Sequence, residues 1–289
     1  MSVLSHVIAL YGASMPVETE NTPATAASPN FDLPKPAIMS ITTSVDKTLE
    51  DKKSMNSGRR LRGAIAHTLG RAILAGDYQP GDTLSGELVF SETLGVSRGA
   101  YREAVQALIA KGLVESRTKL GTRVLPRHRW NMLDPDVLAW AFANTPDMQL
   151  LRSLFELRAI IEPAAAAFAA ERRDRADLKA LKDALTRMRR HTLSTEAGRA
   201  ADRDFHAAIL TASRNDALVT LSAGITAAVE WTTQLKQRDR ALPRDPMPEH
   251  VAVYDAISSG KPGAAADTMR TLVDLALDDT RMMLGLSTP

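Results

Sequence analysis

The sequence of 289 residues contains no cysteine, which excludes both a disulfide framework and a thiolate metal site. It also has no run of 18 apolar residues, so a membrane span is not expected. The first thirteen residues lack a cationic start, which argues against a signal peptide. These absences favour a cytoplasmic globular protein without membrane association, and the length suits two domains rather than three.

Positive charge is concentrated in one part of the chain. Residues 58–130 contain twelve Lys or Arg and six Asp or Glu, whereas residues 1–57 and 131–289 each carry two more acidic than basic side chains. A basic segment is the electrostatic footprint that nucleic-acid binding requires. Residues 1–57 are rich in Ser, Thr, Ala and Pro without sustained periodicity, and we expect a disordered N-terminal extension there.

Residues 84–125 follow the order helix, glycine turn, helix and hairpin. Ser97 is a good N-cap, so the second helix is predicted to start at Arg98, and Gly95 permits the sharp turn before it. Four apolar residues of the second helix share a face that can pack against the first: Tyr101, Ala104, Val105 and Leu108. The order is typical of a winged helix-turn-helix that binds double-stranded DNA.

The second helix and the hairpin both offer polar groups to a duplex. Arg98 and Arg102 lie one turn apart, and arginine in a major groove can pair with guanine O6 and N7. Basic residues of the hairpin would meet phosphates, and Gly121 would let the backbone approach the minor groove. The residues predicted to contact DNA are Ser97, Arg98, Arg102, Gln106, Arg117, Lys119 and Gly121. The alternative is a solvated surface helix beside an unrelated basic hairpin.

Several motifs between Leu61 and Pro126 resemble the GntR family of bacterial transcription regulators. They are Gly-Asp-Thr-Leu at 81–84, Leu-Gly-Val-Ser-Arg at 94–98, Tyr-Arg-Glu-Ala at 101–104 and Lys-Gly-Leu-Val at 111–114. The family's usual Leu-Pro-Ser-Glu-Arg, in which the arginine contacts DNA, is Leu-Ser-Gly-Glu-Leu here. The resemblance therefore implies that Leu88 replaces one DNA contact, while Arg98 and Arg102 keep the other two arginine positions.

The C-terminal half shows helical patterns and almost no strand signal. Helices are predicted over roughly 137–143, 148–171, 175–191, 194–212, 216–237, 248–258 and 262–284. The fold class is therefore mainly α, with a winged helix-turn-helix at 58–126, a linker at 127–136 and an antiparallel all-α bundle at 137–289 for effector binding and dimerisation. Trp130 and Leu133 in the linker are predicted to dock on both domains.

A candidate metal site lies in the helical half. Asp202 and His206 are four residues apart, which places a carboxylate and an imidazole on one helical face, and His250 on a later helix can close the site. Two nitrogen ligands and one oxygen ligand with open positions would suit zinc, nickel or manganese. The alternative is a hydrogen-bonded core histidine.

Residues 158–162, 202–206, 215 and 250–257 resemble the FCD domain, the ligand-binding half of FadR-type GntR regulators. In its metal-bearing members an Asp-x3-His and two later histidines bind a divalent cation that helps hold a carboxylate effector. The resemblance thus implies that Asp202, His206 and His250 are metal ligands and line the effector pocket. The family's last histidine corresponds to Leu272, so a three-ligand site completed by water or effector and a metal-free pocket both stay open.

The resemblance also concerns the effector. Arg158 matches an arginine that reaches the effector carboxylate, and the alternative is a salt bridge to Glu162 at i+4. Trp231 would line the same pocket or belong to the core. The linker segment Arg-Trp-Asn-Met-Leu-Asp-x-Asp-Val-Leu-x-Trp at 129–140 is particularly similar to the galactonate-operon repressors of this family, which points to a sugar acid.

These features predict a homodimeric, sequence-specific repressor of a sugar-acid catabolic operon. Two winged domains would span a palindromic operator, and a small carboxylate effector would release them. The alternatives are an activator with the same architecture or a metal-dependent enzyme that acts on a carboxylated sugar through Asp202, His206 and His250. No recognisable general base or nucleophile accompanies those three residues, so we do not expect an enzyme.

Overall fold

The computed structural model describes residues 57–118, 120–143, 147–236 and 244–284, without the side chains of 57–62 and Leu94. The predicted N-terminal extension and Lys119 lie outside these residues. The helices are α1 (Ser57–Ala75), α2 (Glu87–Leu94), α3 (Arg98–Ala110), α4 (Pro135–Phe142), α5 (Met148–Arg172), α6 (Arg175–His191), α7 (Glu196–Ala212), α8 (Asp216–Thr220), α9 (Ser222–Lys236), α10 (Met247–Ser258) and α11 (Pro262–Met283). The strands are β1 (Val114–Arg117) and β2 (Gly121–Val124). Within the described ranges no helix is both long and apolar enough to cross a membrane.

The helix-turn-helix is present as predicted. Gly95 follows α2 with φ +61°, a left-handed conformation that glycine adopts without a steric cost. The Ser97 Oγ accepts a hydrogen bond from the Ala100 N–H (3.1 Å), so α3 starts at Arg98. The four apolar residues of the predicted face are all buried, and the ring of Tyr101 packs on that of Phe90 in α2 with centroids 4.7 Å apart.

The sequence predicts hairpin strands at 113–116 and 122–125 with a basic tip at 117–121, whereas the strands of the structure are Val114–Arg117 and Gly121–Val124. Arg117 pairs with Gly121 across the antiparallel ladder, and therefore neither belongs to the tip. The segment before α2 pairs with the other edge of β2, where the Leu84 N–H donates to the Thr122 oxygen (2.8 Å) and the Val124 N–H to the Asp82 oxygen (2.9 Å). This pairing, which the sequence did not indicate, attaches the wing to the start of α2.

The helical half is built around α5, which packs along α11 and also contacts α7 and α10. The predicted helix over 216–237 is instead two helices within the described residues, α8 and α9. They are separated at Leu221, whose N–H donates to the Leu218 oxygen three residues back (3.1 Å) rather than four. The break lets α9 lie against both α7 and α4.

The linker joins the halves differently from the prediction. Trp130 belongs to the core of the DNA-binding half, where its Nε1–H donates to the Leu125 oxygen (2.7 Å), and Leu133 packs against the helical core. Each therefore docks on one half rather than on both. Trp140 of α4 makes the connection instead, since its ring lies directly over Gly70 of α1. The prediction assigned the docking to Trp130 and Leu133 and gave Trp140 no part in the junction.

Substitution of Gly70 should weaken this junction. A Cβ at Gly70 would lie 2.2 Å from the Trp140 ring, and a buried indole cannot move aside without displacing α4, so we expect Gly70→Ala to lower the free energy of unfolding by about 1–3 kcal/mol. Gly63→Ala in the same helix is the matched control, because nothing lies within 4 Å of its Cβ position, and it should be neutral or stabilising. Urea denaturation of both variants measures the difference. Equal stability of the two would show that Trp140 does not hold α1.

Candidate functional site

The polar stripe of α3 is open to solvent. Arg98, Arg102 and Gln106 are all exposed, and Arg102 is 71% exposed. The Arg102 Nε–H donates to the Glu87 Oε2 at 2.6 Å, across from the first turn of α2. Because this ion pair uses the Nε, it leaves the terminal nitrogens of Arg102 for a pair with guanine O6 and N7.

The wing presents a mixed surface beside this stripe. Arg117 forms an ion pair with Glu115 of the same strand (3.0 Å), and Gly121 has φ +78°, a conformation that strains other residues. Leu88 and Val89 of α2 are 48% and 45% exposed, and Leu120 is 53% exposed. Leu88, the residue that departs from the usual family pattern, is therefore an exposed apolar side chain next to Glu87.

The helical half contains a buried cage of two imidazoles and a carboxylate. Asp202 and His206 lie one turn apart on α7, and His250 comes from the first turn of α10; each is at most 3% exposed. The Asp202 Oδ1 is 3.0 Å from the His250 Nε2 and 3.7 Å from the His206 Nε2. Each of the three offers one ligand atom within 4.8 Å of the others, so a single cation can reach all of them.

The other nitrogen of each imidazole is held from outside the cage. The His250 Nδ1–H donates to the carbonyl oxygen of Pro246 (2.7 Å), and the His206 Nδ1 makes a short hydrogen bond with the Glu162 Oε2 of α5. Such outer partners fix the ring orientation and the tautomer of metal-ligating histidines. Both Nε2 atoms are thereby turned toward Asp202.

The contact between the His250 Nε2 and Asp202 requires a positive centre between the two atoms. A neutral His250 that donates through Nδ1 has only a lone pair at Nε2, which meets the carboxylate oxygen of Asp202. Burial alone would raise the pKa of Asp202, but the hydrogen bond from His250 and the charges of His250, His206 and Lys236 lower that pKa to about 2. Asp202 is therefore ionised, and either a proton on His250 or a metal cation must lie between the two groups. The donor set fits a divalent metal.

Arg158 is part of the same buried network. Its Nε–H donates to the Glu162 Oε1 at 2.6 Å, and its Nη1 lies 3.4 Å from the Thr232 Oγ1. Burial would raise the pKa of Glu162, but the charges of Arg158 and His206 and their hydrogen bonds lower it to about 2. The salt bridge that the i+4 spacing allowed is thus present, and Glu162 links Arg158 to His206.

Comparisons with known proteins match both halves. Residues 61–124 match the gntR family of bacterial regulatory proteins, and residues 153–275 match the FCD domain. The galactonate operon transcriptional repressor of Escherichia coli (strain K12) is 36% identical over 212 residues, which cover 72% of this chain and 92% of that protein. The chain belongs to the GntR family.

A further relative and a solved structure are also similar to this chain. The HTH-type transcriptional regulator LutR of Bacillus subtilis (strain 168) is 32% identical over 68% of this chain and 89% of its own length. A solved structure of Lar, which controls the expression of the Listeria monocytogenes agr system, covers 80% of this chain and 99% of its own with a TM-score of 0.54. At 19% identity that likeness concerns the fold alone.

Membership of the GntR family decides the class of function. The chain is a DNA-binding transcription regulator, and its FCD domain implies a small-molecule effector. The expectation that it is not an enzyme is confirmed, because the family and its relatives are transcription regulators. FCD domains are known metal-binding effector domains, and the cage of Asp202, His206 and His250 is a possible site of that kind.

The structure brings together most of the residues predicted for the helical site. Arg158, Asp202, His206 and His250 belong to one buried network, as their contacts show. Leu272, in place of the fourth histidine, is 3% exposed and part of the apolar core. Trp231 does not belong to the network; it lines a separate cleft on another face of α9, in contact with Phe142.

Sequence reasoning missed two charged members of the site. It treated Glu162 only as a partner of Arg158, although the i+4 spacing places both side chains on the same face of α5. Lys236, at the end of α9, gave no signal because helix-terminal lysines are usually solvated. Here it is 6% exposed, and burial together with the charge of Arg158 lowers its pKa to about 8. It supplies positive charge beside Asp202.

Proposed function

We propose that the protein is a homodimeric repressor of a sugar-acid catabolic operon, released from DNA when a carboxylate effector binds in the helical half. The observation that carries the proposal is the buried cage, in which both imidazole Nε2 atoms face the carboxylate of Asp202. A repressor role and a sugar acid are supported by the 36% identity to the galactonate operon transcriptional repressor. Dimerisation follows from the need to contact both halves of a palindromic operator.

On the DNA side, Arg98 and Arg102 would read base edges in the major groove. Ser97 and Gln106 would contact the duplex from the same helix, and the wing residues would meet phosphates and the minor groove: Arg117, Lys119 and Gly121. The exposure of the α3 stripe supports this assignment. The ion pair between Arg117 and Glu115 would exchange for a phosphate contact on binding.

On the effector side, Asp202, His206 and His250 would hold a divalent metal, with zinc favoured because it accepts two imidazoles and one carboxylate. The metal would supply a Lewis-acidic position for the effector carboxylate. Arg158 would bind the same carboxylate through its Nη2, the guanidinium nitrogen that Glu162 and Thr232 do not use. Lys236 would add positive charge, and the burial of all these groups would strengthen the attraction.

A series of contacts between helices connects this site with α3, the helix proposed to bind DNA. Helix α9 carries Thr232 toward Arg158 and packs against α4. Asp134 caps α4 and forms an ion pair with Lys111, directly after α3 (2.7 Å). An effector that binds one position of α9 more tightly than another would thereby bias the placement of α3. Allosteric release requires such a difference in effector affinity between the two arrangements of the protein.

Zinc should stabilise the wild-type protein against denaturant relative to chelator-treated protein. We expect about 2.7 kcal/mol when free zinc exceeds the Kd a hundredfold. Asp202→Asn should abolish this gain, because an amide oxygen is a poor replacement for a carboxylate ligand. Asp204→Asn, an exposed aspartate of the same helix, should keep the full gain. A gain that survives Asp202→Asn would place the zinc elsewhere.

Thermal denaturation tests the effector. With zinc present, galactonate and other sugar acids should raise the melting temperature, whereas the parent neutral sugars should not, and Arg158→Met should remove the effect. The stabilising acid should also dissociate the protein from a duplex selected by the protein from a random library. If no sugar acid stabilises the zinc-loaded protein or releases DNA, the proposed effector class is wrong.

A further inference from the structure

A second cleft lies on the face of α9 opposite the cage. Its volume is about 460 Å³, within the range of small-molecule sites. It is lined by Phe142 and Ala143 at the end of α4, by Ser194 and Arg199 around the start of α7, and by Trp231, Gln234 and Leu235 of α9. None of the cage residues lines it, so the two sites are distinct.

One cation, the Arg199 guanidinium, lines the cleft. Within the part of the chain that the structure describes, no carboxylate lies within 4.0 Å of the Arg199 guanidinium. The Nη1 donates to the Ser194 carbonyl oxygen (3.2 Å), while the buried Nε–H has no acceptor among the described residues. The bond to Ser194 orients the guanidinium, but at least one of its donors still lacks an acceptor. A carboxylate is the group that matches these donors.

The opposite wall is aromatic. The rings of Phe142 and Trp231 are nearly parallel, with an interplanar angle of 21° and centroids 6.3 Å apart. Trp231 is only partly buried, and its exposed part borders the cleft. A flat apolar group that stacks against this wall would remove apolar surface from water, while the Gln234 and Ser194 side chains offer polar contacts at the rim.

We propose that this cleft is a second ligand site, which binds a small organic acid with an aromatic ring, its carboxylate on Arg199 and its ring against Trp231. The site does not depend on the cage or on a metal. It lies where α4 meets α9, and α4 is the helix whose Trp140 packs over Gly70 of the DNA-binding half. A ligand in the cleft therefore contacts the helix that joins the halves.

The probe is 4-fluorobenzoate, followed by the width of its ¹⁹F resonance as wild-type protein is titrated. We expect saturable binding, weakened at least tenfold in Arg199→Met and in Trp231→Leu and less in Arg199→Lys, which keeps a positive charge. The neutral 4-fluorobenzyl alcohol should bind at least tenfold more weakly than the acid. Asp202→Asn, which alters the cage alone, should leave the affinity within twofold of wild type.

Four results would overturn the proposal. One is no binding at 10 mM probe, and another is equal affinity in wild type and Arg199→Met. A third is loss of binding in Asp202→Asn, since the probe would then occupy the cage. The fourth is a change of oligomeric state in Arg199→Met by light scattering, because a second copy of the chain would then cover the cleft. Circular dichroism of each variant verifies that the fold is intact.

Discussion

Glu162→Gln should lower the free energy of unfolding of the metal-free protein by about 3–5 kcal/mol. Glu162 is 2% exposed and binds both Arg158 and His206, so its neutralisation leaves the buried guanidinium without its counter-charge. Urea denaturation at pH 7 in the presence of a chelator measures the loss. Because the same carboxylate orients His206, zinc affinity should also fall 10–100-fold in this variant.

Two controls separate charge pairing from general damage to α5. Glu171→Gln removes an exposed carboxylate from the same helix and should cost less than about 0.5 kcal/mol. The double variant Arg158→Met/Glu162→Gln should be more stable than Glu162→Gln, because no unpaired charge remains buried. A loss in Glu162→Gln no greater than in Glu171→Gln would contradict the account of the pair.

The low pKa of Glu162 also predicts how stability depends on pH. The pKa is about 2 in the folded protein and 4.5 as the ordinary value, so the unfolded chain takes up a proton first as the pH falls. The stabilisation by this carboxylate is complete above pH 4.5 and is lost progressively toward pH 2. The difference in stability between the wild type and Glu162→Gln should shrink over the same interval.

Alanine at Arg98 or Arg102 should each cost about 1–3 kcal/mol of binding to a duplex selected by the wild-type protein. The loss on scrambled duplex should be smaller, because a base contact carries sequence preference that a phosphate contact lacks. Fluorescence anisotropy at fixed ionic strength gives both affinities and hence the specificity ratio. Arg190→Ala, an exposed arginine at the end of α6 in the helical half, changes the net charge equally and is the matched control.

Glu87 provides a finer test of the same surface. If its ion pair orients Arg102, Glu87→Gln should reduce the specificity ratio while binding to scrambled duplex stays the same or increases through the added positive charge. An unchanged affinity of Arg102→Ala for the selected duplex would instead show that α3 does not read bases at this position.

Local patterns in the sequence were sufficient for the elements and for much of the site. The structure confirms the Ser97 cap, the Gly95 turn and the apolar face of α3. The sequence could predict these features because each depends on residues that are close together in the chain. The i+4 spacings also placed Asp202 with His206 and Arg158 with Glu162, because one helical turn brings such side chains to one face. Nothing in the spacing decided whether Arg158 would pair with Glu162 or stay open.

The sequence by itself determined most of the helices and which side chains share a helical face, because these features depend on residues within one or two turns of each other. Only the tertiary structure decided which faces meet across helices: His206 against Glu162, His250 against Asp202, and Trp231 away from the cage. It also buried Lys236, and it gave Trp140 the junction expected of Trp130. These contacts join residues that are far apart in the chain, so they depend on how the helices pack and leave no periodic trace in the sequence.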